Sequence, residues 1–377
     1  LDEVDCISSI SGGSFTAAYY GLFRERIFTE FRPRFLDVNV EEALLRRVAN
    51  PGNWFRLASP YFSRIDIAAE YYHEEIFEAK RFQALADGGR RPFVILNATN
   101  LANGGRFEFT QGQFDFLASD LGTYPVARAV AASSAFPFLL SPVSLKNYPH
   151  PVTFELPKDY KQGLLDYDTN RRRYYWALNR AIYVDDKELP YLHLMDGGLA
   201  DNIGLRPIES AYRRSSGFIR KLINDGAIEK FVLIIVNARP DSGDTISKDE
   251  SPPGLSVVAV KTATIAMDNY SVETIEVMKE LRDMRVRTQN NIAACRRLLA
   301  QCPNPPKLPG LAADIEPYVI EINFEAIPDP ERRKYFLRLP TNFALSRDQV
   351  DALVGIGPVL LDEAPEFKDL LESLKNP

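Results

Sequence analysis

Ser11 stands in the run Ile7-Ser8-Ser9-Ile10-Ser11-Gly12-Gly13-Ser14-Phe15-Thr16-Ala17-Ala18-Tyr19-Tyr20. An apolar, strand-like segment stops at a serine. Two glycines follow, then a helix-forming stretch. A tight strand-to-helix turn lifts a hydroxyl out of the backbone, which is how a nucleophilic serine is presented. Gly12 offers an N–H with no side chain in the way, and the helix N-terminus favours a developing negative charge. The chemistry this points to is acyl transfer through a serine ester. Ser9 occupies the first glycine position of G-x-S-x-G, so the motif is a near-match. The plainer reading is a glycine-rich turn with an ordinary surface serine.

A serine nucleophile needs a base. The chain holds three histidines, His73, His150 and His193, and none follows position 193. A Ser-Asp-His triad in the order of α/β-hydrolases needs a late histidine, so counting disfavours it. A carboxylate or a lysine is expected instead. No S-x-x-K follows Ser11, which leaves a Ser-Lys pair weakest. Asp196 is the best carboxylate. It closes the apolar run Leu192-His193-Leu194-Met195, at the carboxyl end of an expected strand, where open α/β sheets place functional groups. Gly197 and Gly198 are expected to turn the chain with positive φ and to let another backbone come close. Partial burial would have to raise the carboxyl for it to act as a base. Alone, Asp-Gly-Gly reads more readily as a turn. Asp201 and Asn202 read as turn or capping residues, with Asn202 a candidate support for Asp196.

These groups need elements to hold them. Val4 to Ile10 is expected as a buried strand and Phe15 to Phe28 as a helix. Val38 to Val48 and Ile65 to Phe82 read as helices. Between them lies the aromatic segment of Trp54, Phe55, Tyr61 and Phe62. Core packing is the expectation there, with a lipid-facing lip as the alternative. Arg91 to Thr99 reads as a buried parallel strand, turned by Asn103-Gly104-Gly105 into a second strand, Arg106 to Thr110. Pro125 to Ala135 is a helix of small residues. Residues 145–190 read as a polar insertion, Tyr191 to Met195 as a short strand, Pro207 to Asn224 as helical and Lys230 to Asn237 as the clearest buried strand. A loop at 241–253, a long helix at 256–300, a Pro-rich break at 303–309, an edge strand at 318–324 and closing helices at 345–374 complete the order. Ser346-Arg347-Asp348-Gln349 has the spacing of a capping box. Strands alternate with helices, so the class is α/β with a mainly parallel sheet.

The bulk numbers set limits. The 377 residues allow two or three average domains or one large α/β domain. A net charge of −6 with both signs dispersed does not resemble the footprint of a nucleic-acid binder. Arg171-Arg172-Arg173 reads as a solvated loop edge, with anionic lipid or RNA as the alternative. No stretch is long and apolar enough to span a bilayer. The three cysteines make no disulfide framework, and no Cys/His spacing suggests zinc. The chain opens Leu1-Asp2-Glu3 with no methionine or signal region, so native sequence is expected upstream. The compartment stays open.

Ser9-Ile10-Ser11-Gly12-Gly13-Ser14-Phe15 followed by Met195-Asp196-Gly197-Gly198-Leu199-Ala200-Asp201-Asn202 resembles the patatin-like phospholipases, lipid acyl hydrolases related to the catalytic domain of cytosolic phospholipase A2. Leu96 to Leu101, Phe107 to Thr110 and Ala129 to Pro137 fit the same pattern, and the likeness covers most of residues 1–240. It implies a three-layer α/β sandwich in a single catalytic domain, with core 1–240 and an extension at 241–377. It implies a Ser11–Asp196 dyad, with Gly12, Gly13, Gly197 and Gly198 serving through their backbone. The activity implied is carboxyl-ester cleavage of the phospholipase A or lysophospholipase type, on lipid at a membrane interface, with no metal and no cofactor. The family's first strand and Gly-rich oxyanion loop are expected to lie upstream of Leu1. That keeps a rival open: a catalytically impaired scaffold that binds lipid or a protein. Calcium dependence and head-group preference are not implied.

Overall fold

This computed structural model describes residues 2–86, 89, 91–137, 139–214, 216–241, 246–248, 250–302 and 315–375. The Pro-rich break at 303–309 lies outside these residues, as do positions 242–245 and 249 of the loop at 241–253. Chain contacts divide the protein into two compact units: Leu1–Gly204 with Asp249–Asp268 and Thr341–Val350, and Leu205–Lys248 with Asn269–Pro340 and Asp351–Pro377.

In the first unit, β1 (Cys6–Ser9) feeds α1 (Gly12–Phe23). A π-helical stretch (Ile27–Leu36), α2 (Val40–Ala49), α3 (Pro51–Leu57), α4 (Arg64–Tyr71) and α5 (Gln83–Ala86) follow. Next come β2 (Phe93–Asn100), β3 (Arg106–Glu108), α6 (Gln111–Phe114), α7 (Val126–Ser133) and β4 (Val143–Lys146). The stretch read as an insertion supplies α8 (Lys158–Gly163) and α9 (Arg171–Ala181) before β5 (Tyr191–Asp196) and α10 (Gly198–Asp201).

The second unit contains α11 (Arg206–Arg213), α12 (Phe218–Asn224), β6 (Lys230–Asn237), β7 (Glu316–Asn323), α14 (Pro330–Leu337) and α16 (Pro365–Lys375). Two long helices, α13 (Leu255–Leu299) and α15 (Arg347–Glu363), contribute residues to both units. The capping box forms: Gln349 N–H donates to Ser346 Oγ, and Ser346 N–H donates to Gln349 Oε1.

The α/β class stands, but the first unit's sheet is mixed rather than mainly parallel. β1 pairs parallel to β2, with Ser9 opposite Leu96. β3 and β5 both pair antiparallel to β2, and β4 pairs antiparallel to β5. β6 and β7 are parallel. Two connections explain the reversal. The Asn103-Gly104-Gly105 turn, with Gly104 at φ +66°, folds β3 straight back on β2. The segment through α8 and α9 returns the chain from β4 as an antiparallel neighbour.

β2 is the ruler of this unit. Seven of its eight residues are buried, as expected of a strand covered on both faces. Hydrogen bonds alternate from edge to edge along a strand. Phe93 N–H bonds to Asp5 and Leu101 N–H to His193, so β1 and β5 share one edge. Asn100 N–H bonds to Gly105, and Phe109 N–H bonds to Leu96, on the other edge. β1 and β5 therefore approach each other head-on along β2 and stop opposite Leu96 and Ala98. Val94, Leu96 and Ala98 share a core with Phe15, Tyr19, Tyr72, Phe77 and the alanines of α7. Each large side chain buried there contributes roughly 1.5–3 kcal/mol.

Several expectations change. Trp54, Phe55 and Tyr61 are not core; they are 59, 89 and 93% exposed. The Arg171–Arg173 run opens α9 rather than a loop edge, and Arg173 is bound to Asp159 and Asp166.

Candidate active site

The head-on meeting of β1 and β5 leaves two turns opening over Asn97. Ser11 forms the first. Its backbone sits at φ 48°, ψ −130°, a region costly for a residue with a Cβ. Such strain is found where surrounding structure over-determines the backbone, and here it does. Ser11 N–H is held by both the carbonyl and the hydroxyl of Ser133, each at 3.1 Å. Ser11 occupies the N-cap of α1, yet its side chain makes no capping bond. A serine there normally spends its hydroxyl on the first-turn amides; this one does not. Ser11 is half-buried, and Gly12 and Gly13 are exposed. As the first residues of α1, these glycines have N–H groups with no intrahelical acceptor. A Cβ on Gly12 would meet no described atom within 4 Å, so the glycine leaves open space beside Ser11.

Asp196 forms the second turn. It is fully buried. Oδ1 accepts the Gly198 N–H at 2.8 Å. Oδ2 has no hydrogen bond of ordinary geometry among the described residues. Burial pushes the carboxyl up to about 6; the Gly198 amide and the nearby Ser11 hydroxyl pull the other way, favouring the charged form. The expected positive φ at Gly197 and Gly198 is not found. Gly197 is right-handed, at φ −62°, and Gly198 opens α10. The glycines serve close approach alone. A Cβ at Gly197 would run into the Asn97 carbonyl and the Ile10 side chain; one at Gly198 would strike Met267 and Asn202 Oδ1.

Ser133 joins the turns. Its carbonyl accepts the Ser11 N–H and the Gly197 N–H, both at 3.1 Å. Its hydroxyl donates to the Asn97 carbonyl at 2.6 Å and lies 2.8 Å from Ser14 Oγ. Asn97 Nδ2 in turn donates to the Ser9 carbonyl and to Ser8 Oγ, each at 3.0 Å. Thr99 Oγ1 donates to the Asp196 carbonyl at 2.8 Å and accepts the Ala200 N–H. Neither Ser133, Asn97 nor Thr99 stands out in sequence. The one available signal was polarity: serine, asparagine and threonine inside otherwise buried runs must find partners.

Two of the three histidines are occupied elsewhere. His193 does not pack inward; it lies on the exposed face of β5, with Nδ1 2.9 Å from Ser144 Oγ. His150 Nε2 bonds to the Phe116 carbonyl at 3.1 Å. Cys6 is half-buried, and burial with the Asp5 charge pushes its thiol up to about 12, which removes it as a nucleophile. Among the described residues no group of three or more His, Cys, Asp or Glu is arranged to hold a metal.

A buried carboxylate with a raised pKa, a strained and uncapped serine, and free amides at a helix start form a set suited to acyl transfer. A family model described as patatin-like phospholipase matches residues 1–212, more than half of the chain. No curated protein matches it.

Proposed function

The chain belongs to the patatin-like phospholipase family, a family of lipid acyl hydrolases, and on that premise we propose that Ser11 and Asp196 are its reacting pair. Ser11 Oγ attacks the carbonyl carbon of a lipid ester while Asp196 takes its proton. The oxyanion develops at the N-terminus of α1, where the Gly12 and Gly13 amides lie. Collapse of the tetrahedral intermediate returns the proton from Asp196 to the departing alcohol and leaves the acyl group on Ser11. Water then gives a proton to Asp196 and attacks the acyl-enzyme; the second tetrahedral intermediate expels Ser11 Oγ, which takes that proton back from Asp196, and the fatty acid leaves. The substrate class is a phospholipid or lysophospholipid carboxyl ester. Residues 1–240 carry the chemistry, and 241–377 extend the same catalytic domain.

One observation carries this reading: the Ser133 carbonyl is shared by the amides of Ser11 and Gly197. The two turns most suited to chemistry hang from a single acceptor. The test is covalent labelling by a fluorophosphonate, alongside ester hydrolysis. The wild type is expected to label at Ser11. Ser11→Ala should abolish labelling and lower turnover at least about 10³-fold, and Asp196→Asn about 10⁴-fold. Retained hydrolysis in Ser11→Ala overturns the assignment. A wild type that never labels favours the non-catalytic scaffold.

A further inference from the structure

We propose that the first turns of α13, Leu255 to Met267, are the surface through which this protein meets a phospholipid layer beside the candidate site. The proposal rests on the acyl-hydrolase reading and adds to it the place of contact.

Met267 is buried, and its methyl end occupies the space a side chain on Gly198 would need. This part of α13 therefore abuts the turn that carries Asp196. At 100° per residue, Leu255, Val258, Thr262 and Ile265 fall on one stripe on the side away from Met267. All four are exposed, Leu255 at 86% and Ile265 at 56%. Val257, on a flank, is exposed as well, and so is Val260, two turns before Met267 on the same side. A helix apolar on nearly every face belongs in a core or in lipid. This segment is in neither, although its Met267 end is already seated on the site. From Leu255 to Met267 the one charged residue is Lys261. Such a surface gives an acidic peptide or a nucleic acid almost nothing to pair with. It suits the boundary between acyl chains and head groups, where an apolar face lies roughly 5–10 Å deep and a lysine stem reaches a phosphate. No helix among the described residues is long and apolar enough to cross a bilayer, so the contact is one of lying in the surface. Met267 against Gly198 would then hold the lipid layer next to Ser11 and Asp196.

The experiment compares the wild type with a Leu255→Ser, Val258→Ser, Ile265→Ser variant. These side chains are exposed, so the folded state loses little packing. Three readings are taken on each protein: hydrolysis of a water-soluble short-chain ester, hydrolysis of pure phosphatidylcholine vesicles, and co-sedimentation with those vesicles. Soluble-ester turnover should stay within about two-fold, while vesicle turnover and co-sedimentation fall about ten-fold or more. Val258→Glu alone should act in the same direction. Equal losses on both substrates, or unchanged co-sedimentation, overturn the proposal. So does a drop in molar mass by light scattering, which would make the stripe a contact between copies of the chain. If the wild type neither cleaves the soluble ester nor labels with fluorophosphonate, the acyl-hydrolase reading fails, and co-sedimentation still decides the surface.

Discussion

Asp196 carries a conflict between stability and chemistry. Its carboxyl is raised from 3.8 to about 6 by burial, so the folded state holds the proton more tightly than the unfolded chain does. The stability linked to that proton is complete below 3.8 and is lost as pH rises through about 6. Above that, the buried charge is a standing cost on the order of 3 kcal/mol. In the proposed dyad chemistry runs the opposite way, because only the ionised form can accept the serine proton. The pH profile of kcat/KM should therefore rise through about 6 to a plateau. Asp196→Asn should be inactive yet melt at a higher temperature than the wild type at pH 8, with the two converging near pH 4. A wild-type profile flat from pH 5 to 8, or an Asn variant less stable at pH 8, contradicts this account. Both residues of the proposed pair were legible in sequence, since a serine before two glycines and an aspartate before two more are local patterns. The close approach those second glycines allow was legible too, but what comes close was not: the Asn97 carbonyl, Ile10 and Met267 belong to distant parts of the chain.

Two of the polar ties between elements carry predictions, one beside the candidate site and one away from it. The end of α7 holds α1, β2 and the Asp196 turn through Ser133. Ser133→Ala keeps the shared carbonyl but removes the hydroxyl that receives Ser11 N–H and donates to Asn97. The strained turn at Ser11 should relax. A misplacement of order 1 Å lowers kcat by roughly 10²-fold. Fluorophosphonate labelling should slow with it, while KM for a soluble ester stays near the wild-type value. Threonine at 133, which keeps the hydroxyl, should restore part of the rate. Equal kcat in Ser133→Ala would remove the hydroxyl from the account. The second tie joins β3 to α9. Glu108 is buried, which alone would raise its carboxyl. Arg180 and Arg106, at 2.8 and 2.7 Å, overcome that and hold it down at about 2. Its contribution to stability is full above the ordinary glutamate range and fades as pH falls toward 2. Glu108→Gln strands a buried Arg180 and should cost about 3–5 kcal/mol in chemical denaturation. The labelling rate of the folded fraction should not change. Strand β2 was readable from its unbroken apolar run and the β2–β3 hairpin from its glycines; β6 was readable as a strand, but not as the buried one expected, since only Ile235 and Asn237 of it are buried and Val232, Ile234 and Val236 are exposed. The direction of β5 was not, because it is set by the fold of the 44 residues between Lys146 and Tyr191, whose composition is polar and says nothing of their path.

At the scale of the molecule, the proposed lipid contact depends on charge and burial. The net charge of −6 repels an anionic bilayer, and Lys261 is the one cation on the apolar turns of α13. Replacing part of the phosphatidylcholine in vesicles by phosphatidylserine should slow turnover at low ionic strength, and added salt should restore it. An increase in rate with phosphatidylserine would mean that another, cationic surface makes the contact. Exposure was beyond the reach of sequence: the same aromatic run at 54–62 reads as core or as surface until its neighbours are known. By itself, the sequence determined the α/β class, the serine turn, the Asp-Gly-Gly turn and the exclusion of a late histidine. Each of these depends on residue identity and on spacing over a few positions. Only the tertiary structure decided that β1 and β5 meet head-on along β2, that Ser133 ties the two turns, and that an apolar helix borders them. Those facts depend on hydrogen bonds and packing between residues up to about two hundred positions apart, and such pairings form only when the chain closes on itself.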